Sequence, residues 1–126
     1  MLLQENIPLA PLTTLQVGGP AKYFVEARHV DDVRAALEFA QTRNLPLFVL
    51  GGGSNLVISD SGWPGLVLKI AITGIRHEGH HPVRFEVAAG EDWDEFVALT
   101  IAHHCGGIEC LSGIPGSVGG TPVQNV

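Results

Sequence analysis

Leu47-Phe48-Val49-Leu50-Gly51-Gly52-Gly53-Ser54-Asn55 decides the reading of this chain: four apolar residues lead directly into three glycines and two small polar residues. The apolar run is too short to show alternation and suits a strand buried on both faces, as in a parallel sheet. Three glycines after such a strand permit positive φ and let the main chain approach a ligand with several amides pointing one way. Diphosphate is the natural guest of that geometry, and Ser54 and Asn55 add a hydroxyl and a carboxamide for the same oxygens. Taken alone, a glycine triplet reads first as a tight turn. The loop matches neither common nucleotide fingerprint: Gly51 and Gly53 satisfy G-x-G, but Leu56 stands where the third glycine belongs, and no Gly-Lys-Ser/Thr follows.

Upstream, Ala21 to Ala27 (AKYFVEA) alternates, with Tyr23 and Val25 on one side and Lys22, Phe24 and Glu26 on the other, which predicts a strand. Val33, Ala36, Leu37 and Ala40 then recur at helical spacing behind Asp31 and Asp32, either of which can accept the unpaired amides of a helix start. Arg43 and Asn44 suit the helix end, and Pro46 prevents its continuation. The sum is strand, helix, strand, a crossover that puts the glycine loop at the carboxyl edge of a sheet, where ligands bind. The segment before Gly19-Pro20, rich in Pro and Thr, is expected to be an irregular lead-in.

Downstream, Leu66 to Ile70 and Val83 to Ala89 read as a hairpin or a pair of edge strands, joined by a polar, His-rich connection from Arg76 to His81. Asp92 and Glu95 stand in capping-box spacing before a stripe of Trp93, Phe96, Val97, Thr100 and Ile101, which predicts a second helix to about His104, stopped by Gly106-Gly107. The remainder is a glycine-studded loop in which Gly113 to Thr121 repeats the bare-backbone arrangement. Pro115 stiffens it, and Thr121-Pro122 fit the start of a short helix with amides aimed outward. Alone, this cluster too reads as a turn.

With 126 residues, 45% hydrophobic and 16% charged, the chain supports one domain or two small lobes and is not disordered. Seven Lys and Arg against thirteen Asp and Glu give a net charge of −6, with the basic residues scattered, which argues against nucleic-acid or anionic-membrane partners. No apolar stretch approaches the about 20 residues of a membrane span, and no basic residue precedes an apolar leader, so a cytoplasmic protein is expected. Cys105 and Cys110 are then reduced thiols. His103-His104-Cys105 with Cys110 matches no zinc spacing, and no metal is expected. Trp63 and Trp93 are read as packing residues.

Four segments carry a resemblance when taken together: VGGPAKYFVEA (17–27), VLGGGSNLVISD (49–60), AAGEDWDEFV (88–97) and GIECLSGIPGSVGGTPVQNV (107–126). In order, spacing and content this set resembles the UDP-N-acetylenolpyruvoylglucosamine reductase (UDP-N-acetylmuramate dehydrogenase) family and covers most of the chain. The resemblance implies an α+β architecture, the FAD-binding fold of the vanillyl-alcohol-oxidase (PCMH) type. A first lobe over 1–72 would hold the βαβ unit and the diphosphate loop; a second, truncated, would begin at 73–126, with the substrate-binding domain absent.

It further implies a flavoprotein oxidoreductase with non-covalent FAD, NADPH as reductant and a UDP-sugar substrate, acting in peptidoglycan precursor synthesis and so in cell wall biogenesis, cell shape and cell division. A monomer in the cytoplasm is expected. By the motif match, Gly51, Gly52, Gly53, Ser54 and Asn55, flanked by Leu50 and Leu56, would hold the FAD diphosphate. Ile114, Pro115, Gly116, Ser117, Val118, Gly119, Gly120 and Thr121, with Gln124 and Asn125, would line the flavin and its phosphoribityl arm. The family's catalytic serine, arginine and glutamate match no residue here, so no NADPH-dependent turnover of the enolpyruvyl substrate is expected of this chain alone. The alternative is a non-catalytic, truncated nucleotide-binding fragment.

Overall fold

A computed structural model of the chain describes residues 1–124. They fall into two compact units, Met1–Ala71 and a second that begins at Ile72.

The first unit is built on a four-stranded sheet with strand order β1-β2-β4-β3, formed by β1 (Leu3–Pro8), β2 (Pro20–Ala27), β3 (Leu47–Leu50) and β4 (Trp63–Ile70). β2, β4 and β3 are mutually parallel, with Val25 and Val49 both opposite Leu68, while β1 runs antiparallel to β2. The expected strand-helix-strand crossover is present, from β2 through α1 (Val30–Thr42) to β3, but β4 lies between the two strands. β4 is thus a central strand of the first unit, not the hairpin or edge partner that its short apolar run suggested.

Two apolar clusters pack on this sheet. Val25, Ala27, Leu66 and Leu68 meet Ala36 and Ala40 of α1, and Leu9, Ala21, Phe24, Leu50 and Val67 form the other. Because helix packing decides α1's inner face, small Ala36 and Ala40 are buried while Leu37 stays 45% exposed. The helix start follows a modified version of the expected cap. His29 is the cap residue, and Asp32, inside the first turn, reaches back to accept the amides of Arg28 and His29, both at 3.2 Å.

Two expectations fail here. The lead-in is not irregular: β1 pairs with β2 over Leu3 to Pro8, a strand invisible in the sequence because, as an edge, it leaves most of its residues exposed. Nor is β3 buried on both faces. It is the opposite edge of the sheet, with Val49 56% exposed and only Leu50 fully buried.

The second unit opens with an antiparallel hairpin, β5 (Ile75–Glu78) and β6 (Arg84–Val87), in which Ile75 faces Val87. The polar connection expected from Arg76 therefore begins as a strand. α2 (Trp93–Ala102) starts as its sequence predicts, with the Asp92 side chain accepting the Glu95 amide at 2.9 Å. Trp93, Val97 and Thr100 are buried while Ile101 is exposed, and the helix stops at Ala102 because His103 and left-handed His104 end it before the glycines. Phe85, Phe96, Trp93, His77 and His103 form an aromatic cluster with ring separations from 4.6 to 5.9 Å. Among the described residues, no helix is long and apolar enough to cross a membrane, and Cys105 and Cys110 are unbridged thiols.

Candidate functional site

The first glycine loop leaves the carboxyl end of β3, where Leu50 is anchored in the core. Its three glycines do different things. Gly53 is buried at φ 72°, and a Cβ there would lie 2.0 Å from the Leu12 carbonyl oxygen; the Gly53 oxygen in turn accepts the Thr14 amide at 3.0 Å. Gly53 is thus required by contact with the segment after β1, whose position no local pattern reveals. Gly51 and Gly52 are half-buried and exposed, and among the described residues no acceptor faces their amides. Asn55 is exposed, Ser54 half-buried, and Leu56 packs against the Leu9–Phe24 cluster. Beside this loop, Gly19 lies so close to the Asp60 oxygen that no side chain fits, and its amide donates to Ser59 at 2.8 Å. That contact closes VGGP onto ISDSG, two of the segments singled out above.

The second loop, in the second unit, is laid along the start of α2. The Trp93 amide donates to Gly116 O at 3.0 Å and the Val118 amide to Glu91 O at 2.8 Å, a two-bond bridge that pairs Asp92 with Ser117. The Gly119 amide goes to Ala89 O, and those of Gly120 and Thr121 go to Ser117 O. A Cβ on Gly119 would meet that of Ala89 at 2.6 Å, so this glycine permits the close approach of the two strands of chain. Ser117 and Thr121 are buried, with Thr121 Oγ1 donating to Ser117 O at 3.1 Å.

These bonds correct one part of the sequence reading. The amides from Val118 to Thr121 do not point outward; they are committed to the protein, and Thr121–Val123 is a single 3-10 turn. Open amides in this loop are those of Ile114, Gly116 and Ser117, among the described residues. Pro115 is exposed and accepts a long bond from Gln124 Nε2 at 3.5 Å. Asn125 lies outside the described residues. Sequence reasoning also passed over Asp94, whose Oδ1 accepts from both Ser112 Oγ and the Gly113 amide at 2.7 Å. Those bonds, that from Ser112 foremost, hold its carboxyl below the usual range. Trp93 and Trp63 act as packing residues with satisfied ring nitrogens, Trp93 on Leu111 O and Trp63 on Pro46 O.

Main-chain amides with no acceptor among the described residues, such as those of Gly51 and Gly52, are donors an anion can use, and comparison with known proteins gives the chain a class. The chain matches the FAD-binding domain family over residues 21–126, and it belongs to that family. Its α+β architecture with a parallel-strand core is the FAD-binding fold of the PCMH type. Within this class the chain is similar to UDP-N-acetylenolpyruvoylglucosamine reductases. It is 50% identical over 122 residues to that of Streptomyces avermitilis, covering 97% of this chain and 33% of the relative. It is 47% identical over 124 residues to that of Cutibacterium acnes, again with 97% of this chain and 33% of the relative. The crystal structure of the reductase from Thermus caldophilus matches with a TM-score of 0.72 and 31% identity, over 94% of this chain and 41% of that one. The chain thus spans about a third of the length of the curated relatives it matches.

The residues present fit such a cofactor. Phosphate oxygens need N–H donors, and the amides of Gly51 and Gly52, on residues without side chains, meet no acceptor among the described residues. Neither loop presents a carboxylate at these positions to oppose an anion.

Proposed function

We propose that this chain is the FAD-binding part of a UDP-N-acetylenolpyruvoylglucosamine reductase, an NADPH-dependent flavoprotein of peptidoglycan precursor synthesis in the cytoplasm. The observation that carries the reading is the pair of amides at Gly51 and Gly52, at the carboxyl end of β3, that meet no acceptor among the described residues, in a chain of the FAD-binding domain family. Gly51 to Asn55 would hold the diphosphate through main-chain N–H groups and the Asn55 carboxamide. Ile114, Gly116 and Ser117 would direct their amides to the flavin and its phosphoribityl arm, with Thr121, Gln124 and Asn125 alongside. Met1–Ala71 would then carry the diphosphate loop and the unit from Ile72 the flavin-lining loop. When bound, FAD supplies the hydride-transfer chemistry. This chain's own residues bind and orient; no residue in it is assigned to proton donation, and the UDP-sugar would be recognised by parts of the relatives that this chain does not span.

The test is a titration of the purified 126-residue chain with FAD, followed by flavin fluorescence, alongside an assay for NADPH oxidation with the enolpyruvyl substrate. Saturable FAD binding without turnover is expected. A folded protein that takes up no FAD would defeat the cofactor assignment, and turnover would defeat the restricted role.

A further inference from the structure

Asp94 is the second residue of α2, yet its Oδ1 reaches residues eighteen and nineteen positions later, accepting from Ser112 Oγ and from the Gly113 amide, each at 2.7 Å. Two donors converging on one carboxylate oxygen at this length are charge-assisted bonds, about twice as strong as neutral ones. Gly113, at φ 83°, is where the chain turns into Ile114–Ser117, the arc whose amides lack acceptors among the described residues. The far end of that arc is tied to the same helix start, through Trp93 N–H to Gly116 O and Val118 N–H to Glu91 O. The arc is therefore gripped at both ends by the beginning of α2: by main chain at residues 91 to 93 and by the Asp94 side chain at its entrance. Ser112 and Gly113 are exposed, so packing does not substitute for the carboxylate there. A loop that offers N–H groups to a ligand binds more tightly when its conformation is fixed beforehand, because less freedom is lost on association.

We propose that Asp94 is a positioning residue for FAD: it fixes the entrance of the Ile114–Ser117 arc, so that the amides of that arc are aligned before the cofactor arrives. The role rests on the FAD reading above. It is separable from the ordinary benefit of an acidic residue in the first turn of a helix, which depends on negative charge and not on an acceptor oxygen. Asp94→Asn removes the charge and keeps the acceptor, whereas Asp94→Ala removes both.

The experiment compares the parent chain with Asp94→Ala, Asp94→Asn and Ser112→Ala, reading FAD affinity by flavin fluorescence and, without FAD, the hydrogen exchange of the Gly113 amide. In Asp94→Ala, FAD affinity is expected to fall about tenfold and Gly113 exchange to speed up by a similar factor. Asp94→Asn recovers a good part of both, and Ser112→Ala lies between. Asp94→Asn as impaired as Asp94→Ala would overturn the proposal in favour of helix-end charge. So would Gly113 exchange that ignores the loss of Asp94. A parent chain whose Gly113 amide is protected but which binds no FAD would instead refute the flavin reading, and with it this purpose for the clamp.

Discussion

Gly53 and Gly113 occupy the same left-handed region, at φ 72° and 83°, and differ in everything around them. A side chain at Gly53 collides with the Leu12 main chain, whereas at Gly113 nothing lies within 4 Å of an added Cβ. Gly53→Ala should therefore cost about 3 kcal/mol or more, and Gly113→Ala about 1 kcal/mol, the conformational part alone. Denaturant unfolding of the two variants checks the contrast. The glycine triplet thus mixes a buried packing glycine with a half-buried and an exposed one, which its sequence cannot distinguish. Glu26 offers a second test at this scale. Its carboxylate accepts from Arg28 and from Lys69 Nζ at 3.2 Å, and these bonds, that from Arg28 first, hold its carboxyl below the usual value. A carboxyl depressed by folding stabilises above its unfolded pKa and loses that contribution as pH falls through the folded one. Glu26→Gln is expected to melt below the parent at neutral pH, with the difference closing as pH falls beneath the ordinary glutamate range; a gap that persists in acid would remove the ion-pair explanation.

Elements divide by how local their causes are. α2 was legible because its determinants lie within it: Asp92 caps Glu95, and Trp93, Val97 and Thr100 are buried on one face. Asp92→Ala should destabilise the second unit by about 1 kcal/mol, read as a lower melting temperature of the helical signal. β1 was not legible, because Leu3 and Ile7 are separated by exposed polar residues and only the ladder with β2 makes them a strand. β3 and β4 read alike as short apolar runs, yet one is an edge and the other lies at the centre. Val49→Thr should therefore change stability by less than about 0.5 kcal/mol. Leu68→Ala, in a residue 1% exposed, should cost about 3 kcal/mol. Equal losses at the two positions would contradict this sheet order.

At the scale of the molecule, the proposed cofactor site is a matter of main chain, and charge is the sharpest probe of it. Gly52 is exposed, and its amide meets no acceptor among the described residues. A carboxylate introduced by Gly52→Glu would oppose the phosphates, and FAD affinity should fall at least tenfold while the melting temperature stays within a few degrees of the parent. Unchanged affinity, measured by flavin fluorescence, would move the diphosphate away from this loop.

Both helices and the family class were legible in the order of the amino acids alone. Helical stripes, caps and the four-segment resemblance are carried by residues close together or by a pattern of types, and neither needs a third dimension. That order could not determine strand neighbours, the edge at β1, or which loop amides stay open. Those depend on where acceptors from distant residues arrive: Glu91 beside Val118, Ala89 beside Gly119, Asp94 beside Gly113. A backbone N–H looks the same in every sequence, and only tertiary structure decides whether a carbonyl or carboxylate of the protein has already claimed it.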